Sequence, residues 1–223
     1  MTLPLSAAQA ILFDLDGTLL DTAPDFVRVV NMQRAQHNLP PLTDDKIRAV
    51  VSNGARALIE LSFGIAEGHP EFASHLQELL DLYLQNIAIE TRLFPGMAAL
   101  LDHLEQRNIP WGIVTNKPRR YTDPLLSQLG LDFRAAVTVC PDDVVNRKPH
   151  PEPLFKACAT LGLAPEVCVY VGDHERDIES GQSAGMATVA ASYGYIETPA
   201  KVHAWNADYI IDQADELIHL LKN

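Results

Sequence analysis

The 223-residue sequence predicts an α/β fold, a parallel sheet whose first strand is followed by an all-helical insertion. Three observations carry this prediction. Residues 10–13 form a short apolar run that ends in Asp14-x-Asp16-Gly17, the pattern of a buried strand running out at its carboxyl end. From about Ala23 to Leu93 the apolar positions recur at helical spacing with no convincing strand. Beyond Leu93, short β-like runs alternate with helical segments, which implies parallel strands joined by right-handed crossovers.

Taken in order, Pro24 suits a first helical turn, and Phe26, Val27, Val30 and Arg34 continue the pattern until Pro40-Pro41 breaks it. Thr43, followed by Asp44 and Asp45, reads as an N-cap leading into Ile47, Val50 and Val51. Ser52-Asn53-Gly54 is a turn, and Ala55 to Phe63 is helical again. His69-Pro70 starts a further helix with Phe72, Leu76, Leu79, Leu80, Tyr83 and Ile87 as its apolar positions. Pro95-Gly96 opens a helix through Leu104, residues 109–115 form a strand, and a helix runs to Leu129, closed by Gly130. Short strands follow at 136–139, 167–171, 188–191 and 209–211. Helices lie at 153–161 and 177–184, and an amphipathic one ends the chain. The expected domains are a discontinuous α/β core, 1–20 and 93–223, and a helical domain, 21–92.

Composition narrows the function. The length, at 47% hydrophobic residues, suffices for an α/β core and a smaller second domain. A formal net charge of −12 argues against nucleic acid or an anionic membrane as the main partner. Cys140, Cys158 and Cys168 are odd in number, lack metal-ligand spacing and read as buried small hydrophobes in a reduced setting. There is no signal-peptide pattern and no apolar run of roughly 18 residues. The expectation is a soluble cytoplasmic protein; a monomer and a homodimer both stay open.

The ends of the predicted strands carry the chemistry. Alternate side chains on an extended backbone share a face, so Asp14 and Asp16 can point into one space. Their repulsion is relieved by a hard divalent cation, and an aspartate so placed can attack an electrophile. Gly17 and Thr18 would turn backbone N–H groups toward an anion, although an Asp-rich turn capping the next helix would use the same residues. The second strand ends in Thr115-Asn116-Lys117 and the fourth in Gly172-Asp173, with Asp177 four residues on. Lys148 lies in a Pro-bounded loop, where side chains more often serve function than packing. Asp14, Asp16, Asp173 and Asp177 supply oxygens for Mg2+, while Thr115, Asn116 and Lys148 supply donors for a tetrahedral anion.

In this order, Asp14-Leu15-Asp16-Gly17-Thr18, Thr115-Asn116, Lys148-Pro149 and Gly172-Asp173-x-x-x-Asp177 resemble the four motifs of the haloacid-dehalogenase superfamily of phosphohydrolases, over nearly the whole chain. The resemblance implies a Rossmann-like core (the HAD fold) and a mobile helical cap inserted after the first strand. It makes Asp14 the nucleophile and Asp16 the acid/base, a residue that true dehalogenases lack at this position. It assigns the metal to the Asp14 carboxylate, the Asp16 carbonyl, Asp173 and Asp177, the last directly or through water. Gly17, Thr18, Thr115, Asn116 and Lys148 would hold the phosphoryl group.

Val114-Thr115-Asn116-Lys117-Pro118 and 148–154 resemble the phosphoglycolate-phosphatase-like branch. The wording of 52–56, 140–142, 177–181 and 193–196 is similar to enzymes that dephosphorylate N-acetylmuramate 6-phosphate in peptidoglycan recycling. The expected activity is therefore Mg2+-dependent phosphomonoester hydrolysis of a small phosphorylated metabolite through an aspartyl phosphate. N-acetylmuramate 6-phosphate is the favoured substrate and 2-phosphoglycolate the alternative. A phosphomutase on this scaffold, or a non-catalytic relative binding a phosphometabolite or a protein, are the other readings.

Asn53, Gly54 and Arg56 would set specificity from the cap, where Arg56 otherwise reads as a solvated helix arginine. Lys117-Pro118-Arg119-Arg120 reads as a solvated charged loop rather than a substrate-steering one. Asp142 and Asp143 read as a helix or turn cap, and Trp111 and Trp205 as packing. His150 and His174 lie near motif loops, and none of the eight histidines has metal-ligand spacing with another.

Overall fold

The apolar run Ala10–Phe13 forms strand β1 and is buried at all four residues. In the computed structural model, which describes residues 4–196 and 199–222, the chain divides into two compact units. One is Met1–Leu20 with Leu93–Asn223 and the other is Asp21–Arg92. The two-residue strands β2 (Leu20–Asp21) and β3 (Arg92–Leu93) lie where the chain leaves the first unit and returns to it.

The first unit is built on a six-stranded sheet. To β1 it adds β4 (Trp111–Val114), β5 (Val137–Val139), β6 (Cys168–Gly172), β7 (Ala187–Ala191) and β8 (Tyr209–Ile211), in the order β5-β4-β1-β6-β7-β8. Every pairing is parallel; Leu12 of β1 is matched to Gly112 on one side and Tyr170 on the other. β1, β4, β6 and β7 are buried throughout, as a sheet covered on both faces requires.

The helical unit holds α1 (Ala23–Gln36), α2 (Asp44–Arg48), α3 (Ala55–Phe63) and α4 (Phe72–Gln85). Pro24 sits in the first turn of α1, where its missing N–H leaves no bond unmade. α1 and α4 meet through Phe26 and Tyr83, whose rings stack at 4.2 Å and 5°. The buried Asp25 carboxylate accepts from Glu90 N–H at 2.7 Å and from Thr91 Oγ1 at 2.5 Å, tying the end of the unit to its start. Two expectations shift. Thr43 has the extended backbone of an N-cap, but its hydroxyl makes no capping bond. His69-Pro70 forms a turn, in which Phe72 N–H donates to His69 O, and α4 starts only at Phe72.

Helices α5 (Met97–Gln106), α6 (Arg119–Gln128), α7 (Glu152–Leu161), α8 (Glu175–Ala184) and α9 (Glu216–Leu220) complete the first unit. α5 buries Met97, Leu100, Leu101 and Leu104, one apolar stripe at helical spacing. Asp142 caps α6 by accepting Arg119 N–H at 2.8 Å, and Asp143 accepts Cys140 N–H at 2.9 Å. Trp111 is buried with its indole N–H on Glu105, and Trp205 packs against the cluster of Ile178, Ala190 and Val202. All three cysteines are free and buried. Among the described residues, no helix is long and apolar enough to cross a membrane.

Candidate active site

β1 is the point where the sheet changes direction. The chain goes from β1 to β4 and β5 on one side, then to β6, β7 and β8 on the other. Ligands of open parallel sheets bind outside the carboxyl ends of the strands at such a point. Asp14 follows β1, Thr115 follows β4 and Asp173 follows β6. Asp14 N–H donates to Val171 O at 2.9 Å, so the extended backbone continues one residue past the strand. Asp177 lies in the first turn of α8, where its Oδ2 accepts His174 N–H at 3.1 Å.

Lys148 gathers these elements. Its side chain is fully buried, and its ammonium stands 2.9 Å from Asp14 Oδ1 and 2.8 Å from Asp177 Oδ1. It also donates to Val114 O at 2.9 Å and Tyr170 Oη at 2.7 Å. Asp173 lies beside this cluster, accepting from Thr18 Oγ1 at 3.1 Å and Tyr195 N–H at 2.9 Å. Gly17, at φ +85°, lets the backbone pass against it: a Cβ there would stand 2.1 Å from Asp173 Oδ2, and one at Gly194 would stand 2.3 Å from Asp173 Cβ.

Three buried carboxylates against one buried ammonium leave the cluster short of positive charge. Burial pushes the Asp14 carboxyl up to about 6, against the pull of Lys148, with Asp177 adding to the rise. Burial, then Asp14 and Asp177, push Asp173 up to about 7. Burial works against the Lys148 ammonium, but Asp14 and Asp177 outweigh it and hold its pKa above the usual lysine value. One oxygen from each of Asp14, Asp173 and Asp177 lies within 4.8 Å of the others. An all-oxygen, electron-rich cluster of this kind fits a hard divalent cation.

The remaining expected site residues fall as follows. Asp16 is partly exposed and pairs with Lys117 Nζ at 2.9 Å. Lys117 is itself buried, so the solvated-loop reading of 117–120 fails at its first residue. Arg119 is half-buried and paired with Asp123 and Asp143, and Arg120 lies over the Tyr121 ring. Thr115 is buried, and its hydroxyl accepts Lys117 N–H at 3.1 Å. Asn116 Nδ2 donates to Lys148 O at 3.0 Å, while its buried Oδ1 has no hydrogen-bond partner. The Thr18 hydroxyl is committed to Asp173.

In the helical unit, Asn53 ends a 3-10 turn and Gly54 adopts φ +83°. Arg56, in the first turn of α3, pairs with Glu67 at 2.5 Å. His174 caps α8 with Nδ1 accepting Arg176 N–H, and burial together with Arg176 lowers its pKa to about 4. His150 is exposed, its Nδ1 accepting Glu152 N–H.

Sequence reasoning missed Tyr170 and the pairing of Lys117 with Asp16. The signal for Tyr170 was a lone hydroxyl in the run Cys168-Val169-Tyr170-Val171, where a buried phenol needs a partner. Lys117 carried none beyond its position after Thr115-Asn116.

The family described as haloacid dehalogenase-like hydrolase matches residues 11–191. An N-acetylmuramic acid 6-phosphate phosphatase of Pseudomonas aeruginosa is 46% identical over 96% of this chain and 94% of its own. A phosphoglycolate phosphatase of Xanthomonas campestris is 42% identical over 94% of each chain. The crystal structure of a predicted phosphoglycolate phosphatase from Haemophilus somnus superposes with a TM-score of 0.84 at 28% identity, covering 96% of this chain and 98% of the other. The chain belongs to the haloacid dehalogenase-like hydrolase family. Family and relatives together make it a phosphoric monoester hydrolase.

Proposed function

We propose that the chain hydrolyses N-acetylmuramate 6-phosphate with Asp14 as nucleophile and Mg2+ as cofactor. The observation that carries the mechanism is the fully buried ammonium of Lys148, shared between Asp14 and Asp177 with Asp173 alongside. Asp14 Oδ1 is committed to Leu15 N–H and Lys148, so Oδ2 provides the attacking lone pair. Oδ2 bonds to phosphorus as the ester oxygen departs, giving an aspartyl phosphate, and Asp16 gives that oxygen its proton. Asp16 then takes a proton from water, which attacks the phosphorus and releases phosphate and the Asp14 carboxylate. Lys148 and Thr115 neutralise and orient the phosphoryl oxygens, a largely electrostatic contribution. Asp14, the Asp16 carbonyl, Asp173 and Asp177 would hold Mg2+, which when bound neutralises charge on the transferring group.

The helical unit is read as the cap, with Asn53, Gly54 and Arg56 meeting the substrate's sugar or carboxylate. The substrate assignment rests on 46% identity over nearly full length to the Pseudomonas phosphatase. The Xanthomonas relative keeps 2-phosphoglycolate as the second reading. The three free thiols support action in the reducing cytoplasm.

The test is Mg2+-dependent phosphate release from both esters, beside Asp14→Asn. Preference for the amino sugar, with activity in the variant reduced by at least about 10³-fold, supports the proposal. Preference for phosphoglycolate replaces the substrate, and release that survives Asp14→Asn removes the mechanism.

A further inference from the structure

Two of the histidines that look unrelated in sequence are brought together inside the helical unit. His37 is the residue that ends α1, while His75 and Glu78 stand three apart on α4, on one face of that helix. One nitrogen of each imidazole and one Glu78 oxygen all lie within 4.8 Å of one another. His37 Nε2 is 2.8 Å and His75 Nδ1 3.7 Å from Glu78 Oε2. A four-coordinate ion with bonds of ~2.0–2.1 Å spaces its ligands by roughly 3.3 Å, between those two values.

The surroundings hold the three side chains in this arrangement. Gln33 is fully buried, and its Nε2 donates to Glu78 Oε2 and to His75 O, both at 2.8 Å. Phe63 stacks on His75 at 4.0 Å and 9° and meets His37 edge-on at 5.2 Å. Outer groups that orient ligands in this way are characteristic of metal centres. His37 and Glu78 leave 36% and 33% of their side-chain surface to solvent, which gives an ion access and a water the fourth position.

We propose that His37, His75 and Glu78 bind a zinc ion in the helical unit, separate from the acidic cluster of the sheet unit. Two imidazoles and a carboxylate suit a borderline cation, whereas Mg2+ favours all-oxygen donors. The bound ion pins the carboxyl end of α1 to α4, so its effect is on the stability of this unit.

The test uses the full-length chain without a polyhistidine tag, in wild-type form and as Asp14→Asn/Asp173→Asn, which disables the acidic cluster. Zinc titration calorimetry should find one site that persists in the double variant. Co2+ at that site should show the intense visible bands of a four-coordinate ion with nitrogen ligands. His75→Ala should abolish this signal and the rise in melting temperature that zinc produces. Glu78→Gln should weaken zinc binding by at least about tenfold. His37→Gln, at a solvent-facing position, serves if His75→Ala does not fold. Loss of zinc binding in the double aspartate variant would overturn the proposal. So would zinc binding unchanged by His37→Gln and Glu78→Gln.

Discussion

Two lysines divide the electrostatics of the site. Lys148 is wholly buried among four oxygens, two from carboxylates, and its charge is the internal balance of the cluster. Lys117 holds Asp16 at 2.9 Å from a nearly buried position, which fixes the proposed acid/base in one orientation. Lys117→Met should lower kcat by about 10–100-fold, within the contribution of a positioned acid/base, while KM stays within a few-fold. Steady-state kinetics on the preferred ester decides; an unchanged kcat would remove Lys117 from the mechanism. At this scale the sequence showed the carboxylates and Lys148, because charged residues at strand ends stand out from apolar runs. It did not show Tyr170 or the role of Lys117. A phenol in a core strand and a lysine in a charge run each look ordinary until a partner from far along the chain is placed beside them.

The helical unit is closed by hydrogen bonds as much as by packing. Asp25 at the start of α1 receives Glu90 N–H and both the N–H and hydroxyl of Thr91. Removing the carboxylate strands these donors in a buried place. Asp25→Ala should destabilise the protein by roughly 3 kcal/mol, measured by denaturant unfolding, whereas a loss below about 0.5 kcal/mol would mean water replaces the carboxylate. The helices were legible from their apolar spacing, and α3 begins and ends where that spacing does. Their ends were less so. Thr43 supplies the cap residue type without the cap bond, and a proline suited to a first turn (Pro70) instead lies before the helix. Nor does spacing show that residues 37 and 75 meet, since that depends on how α1 packs on α4.

For the molecule as a whole, the site works against the fold when no cation is bound. Asp14 and Asp173, raised to about 6 and about 7 from the ordinary carboxyl value of 3.8, keep protons in the folded state that the unfolded chain has released. The folded state then binds more protons than the unfolded one, so stability falls as pH rises through this range. His174, lowered from 6.5 to about 4, acts in the opposite sense below pH 6.5. The clean window therefore lies between 6.5 and about pH 8, where Asp173 dominates. Metal-free protein in a chelator should lose stability across that window, and Mg2+ should restore it. Asp173→Asn should remove both effects. Chemical denaturation at several pH values tests this, and a wild-type stability that rises with pH, or a slope kept by Asp173→Asn, would overturn it.

The interrupted first unit also sets an order of events during synthesis. β1 is one of the two central strands, yet its partners, led by Trp111 and Cys168, leave the ribosome only long after it. Residues 21–92 emerge complete in between, with their own stacked rings and their own closing hydrogen bonds. They can fold while Ala10–Phe13 is still an unpaired apolar segment, and long-range strand pairing of this kind is slow and exposed to aggregation. The nascent chain thus carries a central strand unprotected for the longest time, and early folding of the helical insert shortens the span that β1 must search to find its neighbours.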